Sequence, residues 1–439
     1  MTTGDSTKFG VRYKKILIIF LILVMLSSSL FIIYKLLITD DASLGDEFVV
    51  GETVFLEAEV YVKTESELKV AIDDAPFDVQ VIVALNRDID LTETLKISAN
   101  KNIVLVSNRA TGFYKLIGTN GLETIFVDRG GMLILMGIIV THNVGSNGSG
   151  LVVNSGGKLI MVDGVISGNT VGAPGGGGVY NKGSFSMSGG VIVDNTVTVD
   201  NTSTVLSVDG GGVYNLNGFS LSGGVIANNT ARFRGGGVYS GVSFEMSGGT
   251  ILDNTAVWGG GVFNDGDFSL FGGGMISGNT SEFGGGVHNA GTFSMYSGEI
   301  FNNTAKGMQG GFGGGVYNHG VFKLSGGVIS HNQAADSPVL SLYGGQGGGI
   351  IAGGTFTMTR GEISNNKASI GGGVSGGGVF KLFGGVISEN TATYRGGGVH
   401  YSGDAFNESG CKIFNNKADD AGNNVCIISR YDGHIIADK

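Results

Sequence analysis

The chain has 439 residues, of which 82 are glycine and 3 are proline; 41% are hydrophobic, 15% are charged, and the formal net charge is −10. Collagen is excluded by the missing proline, and a flexible linker by the hydrophobic content and the 25 phenylalanines, so the glycine belongs to packed structure. Residues 1–40 carry +3 and the remainder −13, a balance that argues against a nucleic-acid partner; two cysteines are too few for a disulfide-built fold.

Residues 1–15 read as a cytoplasmic tail and 16–35 as a transmembrane anchor, because Ile16 to Tyr34 is 19 residues without a charge. Arg12, Lys14 and Lys15 precede this run and Asp40, Asp41, Asp46 and Glu47 follow it, which orients the N-terminus to the cytoplasm and the body outside the cell. A cleaved signal peptide is the competing reading. Residues 36–58 form an acidic stalk.

Residues 59–124 read as a cap and first coils. Thr64 and Glu67 make a capping box, with Leu68, Ala71, Ile72 and Ala75 on one helical face before Pro76. Strand-like runs follow at 79–85, 94–98 and 103–107, separated by polar turns.

Residues 125–435 carry a repeat of the form GGGVYN-x-G-x-F-S-M-S-G-G-x-I-x-x-N-T-A, leaving 436–439 as a tail. Nine copies share a Val/Ile column from Val179 to Val399, a Phe column from Phe185 to Phe406 and an Ile column from Ile192 to Ile413. Three residues after each Ile stands Asn195, Asn229, Asn254, Asn279, Asn303, Asn332, Asn366, Asn390 or Asn416. Val to Phe is 6 residues except for 7 in the last copy, and Phe to Ile is 7 except for 8 at Phe268 to Ile276. Ile to the next Val varies from 11 to 21, so every large insertion falls at one corner.

Three short apolar segments per 24 to 25 residues predict one coil of a three-sided, all-β, single-stranded right-handed parallel β-helix of about twelve coils. Such strands are too short to bury their own side chains; coils stacked ~4.8 Å apart supply both hydrogen bonds and an interior. The Asn column is expected to bond along the axis.

The motif GGGVYN…F-S-M-S-G-G-x-I-S-G-N-T resembles adhesin-like right-handed parallel β-helix surface proteins of bacteria and archaea, within the pectin-lyase-like group. The resemblance covers roughly residues 60 to 435. The Gly-Gly and apolar-x-x-Asn pairing is also similar to polymorphic membrane proteins of the autotransporter class, with Ile in place of their Phe. It implies a cell-surface role, with glycans or host or neighbour cell-surface components as partners.

A polysaccharide lyase or glycoside hydrolase of the same fold is the alternative function, and a passive surface-layer or spacer protein the second. The lyase or hydrolase chemistry needs converging carboxylates with a base or calcium. Asp194 and Asp253 are separated by a coil bearing Asn228 and have no basic companion, so they read as turn residues, as do Asp265 and Asp267. His288 and His400 are several coils apart, and neither a metal site nor a cofactor is expected.

Two aromatic stripes flank the glycine triplets. Alternation turns Tyr180, Tyr214, Tyr239, Phe263 and Tyr317 outward after the Val column, and Phe233, Trp258, Phe283, Phe312 and Tyr394 stand just before the triplets. Sugar rings stack on exposed aromatics, so these ten residues are the expected ligand-binding set, over an open glycine floor; coil-on-coil stacking is the competing role. The insertion corner (197–209, 306–312, 333–346) is the second candidate face. Cys411 and Cys426 leave two readings open, a disulfide closing the C-terminal edge or two free thiols.

Overall fold

In a computed structural model of the protein, residues 60–108, 112–172, 175–198, 209–339, 344–403 and 405–428 are described, with the strands Ile32–Ile33, Val54–Phe55 and Ile435–Ala437. The chain divides into two compact units, Met1–Ala58 and Glu59–Lys439. The expected anchor lies outside the described residues except for Ile32–Ile33, which is extended and pairs antiparallel with Val54–Phe55. Among the described residues no helix is long and apolar enough to cross a membrane.

The second unit is a parallel β-solenoid of the right-handed type with about 13 turns, one more than expected. It opens with α1 (Glu65–Asp73), where the capping box forms as the sequence requires: Glu67 N donates to Thr64 Oγ1 at 3.2 Å, and Thr64 N to the Glu67 carboxylate. Leu68 and Ile72 are buried by α1 against the first coils.

One coil shows the plan. Val262–Asn264 lies in a first wall, Asp267–Leu270 in a second and Met275–Ser277 in a third. Each wall pairs in register with the coils before and after, so Val262 sits between Val238 and Val287, Phe268 between Phe244 and Phe293, and Ile276 between Ile251 and Ile300. Like stacks on like because the repeat places equal side chains at equal heights. The Phe rings are nearly parallel, 4.6–4.7 Å apart from Phe244 to Phe322, and buried.

Two features go beyond three sides. Four strands run through the second and third walls together: Met132–His142, Lys158–Ser167, Val321–Ser330 and Thr355–Ser364. After the Asn column, two-residue strands such as Thr280–Ser281 and Thr304–Ala305 form a narrow fourth ladder.

The Asn column is a continuous buried ladder. From Asn169 to Asn416 each side-chain amide donates to the Oδ1 of the next coil at 2.8–3.0 Å. His142 stands at its head with Nδ1 2.8 Å from Asn169 Oδ1 and Nε2 2.9 Å from the Leu122 carbonyl, while Asn424 accepts from Asn416 at its foot. Asn143, in the irregular early copy, is exposed and takes no part.

Candidate functional site

The first aromatic stripe forms, but its rings cover one another. Tyr180, Tyr214, Tyr239, Phe263, His288 and Tyr317 stack along the axis with centroids 4.7–5.6 Å apart. Tyr214, Tyr239 and Phe263 are 9%, 6% and 6% exposed. They were expected to be open because alternation turns them out of the core; they are buried because the neighbouring corner folds over them. Trp258 packs on this cluster, and the Arg234 guanidinium lies 5.0 Å from the Tyr239 ring and 5.3 Å from that of Phe263. Arg234 is held by the buried Asp209 through two contacts of 2.6 and 3.0 Å.

The second stripe is partly exposed, and its register differs from the expected one. Arg234, Trp258, Phe283, Phe312, Gln346 and Ile370 bridge in succession, so Phe233 and Tyr394 each fall one residue before this column, where Arg234 and Arg395 take the place next to the glycines. Phe283 and Phe312 stack at 5.3 Å and 8°.

The glycine floor is closed. Gly259, Gly260 and Gly261 are buried, and a Cβ at Gly260 would stand 2.5 Å from the Thr280 carbonyl oxygen and 2.7 Å from that of Gly285. The triplet is where one coil's start presses on its own end and on the next coil, so no ligand reaches that backbone. Its first glycine bends left-handed, with φ 66° at Gly259.

These ring faces are therefore engaged with protein. Trp258→Ala combined with Phe283→Ala should lower unfolding stability by about 3 kcal/mol, half the cost of two fully buried aromatics. A guanidinium midpoint equal to that of the unchanged protein would return these rings to the list of free binding surfaces.

The carboxylates two residues after each Ile have a conformational role. Asp194, Asp253 and Glu389 share a left-handed backbone with Asn228, Asn302, His331, Asn365, Asn415 and Gly278, all at φ 53–67°. Asp194 and Asp253 are exposed. Among the described residues no group of three His, Cys, Asp or Glu side chains is placed to hold a metal ion.

His288 lies in the first stripe, 8% exposed, with its Nδ1 lacking a hydrogen-bond partner. Burial, reinforced by His319 and Arg234, pushes its pKa down to about 3; burial and then Arg395 push His400 down to about 4. Both fold as neutral rings. The unfolded chain takes up these protons near pH 6.5 and the folded one does not, so stability is full above pH 6.5 and falls toward pH 4, by up to about 1.4 kcal/mol per pH unit for each ring. His288→Phe should remove one proton's share of that slope, read from urea midpoints at pH 7 and 4.5; an unchanged slope rejects this account.

In the structure Cys411 and Cys426 are both free and buried, the arrangement of the second of the two readings the sequence left open. Cys411 packs in the main core, where burial raises its thiol to about 12. Cys426 follows the inward Val425 on the first wall, in the outward column of His400. At the insertion corner, the loops of adjacent coils bond to each other: Gly311 N donates to the Ala335 carbonyl at 2.7 Å and Ser337 Oγ to the Met308 carbonyl at 2.6 Å. Residues 199–208 and 340–343 of that corner lie outside the described set.

A second buried Asn column carries no expectation from the sequence, although it ends the GGGVYN motif. Asn264 donates to Asn289 and Asn289 to Asn318, each at 2.7 Å. In comparisons with known proteins, no family model, curated protein or solved structure matches the chain.

Proposed function

We propose that the chain is a single-pass membrane protein of the cell surface whose β-solenoid stands outside the cell and presents a binding or adhesive surface, with carbohydrate as the ligand class. The observation that carries the reading is the uncharged run Ile16–Tyr34 between a basic head and an acidic stalk, placed ahead of a solenoid. The likeness of the repeat to adhesin-like, pectin-lyase-like surface proteins supports it. So do the outward positions of the third wall, such as Val225, Thr250, Met275 and Glu299, which differ from coil to coil while the inward Ile repeats.

Passive spacing is the second reading, favoured by the ring faces already spent on coil stacking. In cells expressing the full chain, the solenoid is expected in the membrane fraction and open to external protease; recovery in the soluble fraction rejects the anchor. Incubation with a polysaccharide panel separates the functions. Capture without products supports binding, new reducing ends or unsaturated products mean an enzyme, and neither means a spacer.

A further inference from the structure

A repeat contains its own control: a position that folding dictates keeps its residue from coil to coil, and a departure that folding does not require asks for another explanation. The residue after the core Met/Leu column, at the corner of the second and third walls, is Ser188, Ser222, Ser247, Ser325 and Ser409 in five coils and Thr359 in a sixth. In the remaining three it is aromatic: Phe271 and Tyr296 in adjacent coils, and Phe383, 42% exposed, standing alone three coils after Tyr296. The backbone does the same thing throughout: Ser247 N donates to the Leu221 carbonyl, Phe271 N to that of Met246 and Tyr296 N to that of Leu270, each at 2.9 Å. The fold therefore asks for no aromatic here.

Both rings are available. Tyr296 is 57% exposed, Phe271 is partly exposed, and neither ring stacks on another aromatic among the described residues, unlike the two stripes near the glycine triplets. They follow the paired Leu270 and Met295, whose backbones lie one coil, ~4.8 Å, apart.

The same coil carries the only eight-residue spacing between Phe and Ile. The extra residue makes the usual glycine pair a triplet, Gly272-Gly273-Gly274, whose first two members are exposed beside Phe271, and a Cβ at Gly273 would meet nothing within 4 Å on a backbone that any residue adopts. This glycine is kept neither by strain nor by crowding, and it leaves the rim of the rings bare. Met275, 37% exposed, opens the third wall four residues after Phe271 and pairs with the exposed Glu299; the Ser297 hydroxyl donates to the Gly272 carbonyl at 3.1 Å.

We propose that Phe271 and Tyr296, with Met275 as apolar neighbour and Glu299 and Ser297 as hydrogen-bonding rim, form a binding site for a neutral pyranose of an oligosaccharide. Aromatic faces bearing an adjacent carboxylate and hydroxyl suit a sugar ring, whose apolar face stacks while its hydroxyls bond at the edge. Glu299 and the net −13 of the body disfavour a uronate. The site rests on the surface-binding reading above.

The test uses the full chain in detergent against immobilised cellohexaose, mannohexaose and chitohexaose, with oligogalacturonate and oligolysine as charged counterparts. At least one neutral oligosaccharide is expected to bind. The double variant Phe271→Ser, Tyr296→Ser, which installs the serine of five other coils, should weaken that binding at least tenfold with an unchanged unfolding midpoint. Phe271→Tyr with Tyr296→Phe should retain it, which keeps the test valid if the serine variant unfolds. Undiminished binding by the serine variant overturns this site and leaves surface binding standing. Capture of a charged probe alone overturns the neutral-sugar class, and capture of none of the probes overturns both the site and the binding reading.

Discussion

Asn279→Leu should cost the solenoid about 4 kcal/mol, although the two side chains are close in size. The Asn279 Oδ1 accepts from Asn254 N at 2.9 Å and Asn254 Nδ2 at 3.0 Å, and its Nδ2 donates to the Ile251 carbonyl at 3.0 Å and Asn303 Oδ1 at 2.9 Å. Leucine leaves a backbone N–H and a carbonyl without these partners in a site that is 0% exposed, and each such group costs about 1–3 kcal/mol. The broken ladder also separates two coils that otherwise hold each other in register. The control is Asn302→Gly, one coil later and on the surface: its left-handed backbone, φ 55°, is what Gly278 adopts naturally, so the change should stay within about 0.5 kcal/mol of zero. Guanidinium unfolding of both variants decides the matter. Equal midpoints would mean that the amide ladder is not a main support of the stack.

Gly260→Ala is the second large effect, a loss of about 3 kcal/mol or more from a single added methyl. The Cβ would meet the Thr280 carbonyl oxygen at 2.5 Å and the Gly285 carbonyl oxygen at 2.7 Å, backbone on two sides that cannot retreat without opening the ladders that both belong to. Gly273→Ala, with open space around it, should be neutral or raise stability by about 0.5 kcal/mol by restricting the unfolded chain. Parallel thermal unfolding of the two variants tests the distinction, and a tolerated Gly260→Ala would disprove the close approach of coil start and coil end. This contrast also explains the glycine content. Much of it stands where backbone meets backbone.

The helix was legible from Thr64 and Glu67 because a capping box is a local contract between residues three apart. The columns of Val262, Phe268 and Ile276 were legible because a solenoid stacks each coil on its neighbour, so sequence period and spatial height are the same quantity. The axial bonding of Asn279 and its relatives followed from their unbroken recurrence. Asn264 and Asn289 were equally visible in the motif, but a terminal Asn after an aromatic looks like an ordinary turn residue until its buried partner is seen.

The binding surface was not legible in the same way. Alternation along Val262–Asn264 correctly turns Phe263 out of the core, yet it cannot say whether solvent or a folded corner waits there. Arg234 and Trp258 close over that column from a different segment of the coil, and the glycine triplet that looked like an open floor is pressed against the Thr280 backbone 20 residues later. Cys411 and Cys426 are likewise separated by a wall that their spacing of 15 does not reveal.

The sequence by itself determined the period, the residues that face inward and the corner that takes insertions, since these depend on each coil repeating the last. Only the tertiary structure decided which outward side chains remain open, because the cover over an outward residue comes from segments whose approach no local pattern encodes. That difference leaves the ring faces of Trp258 and Phe283 taken, while Phe271 and Tyr296 stack on no other ring among the described residues, which is why the proposed sugar site is placed on them.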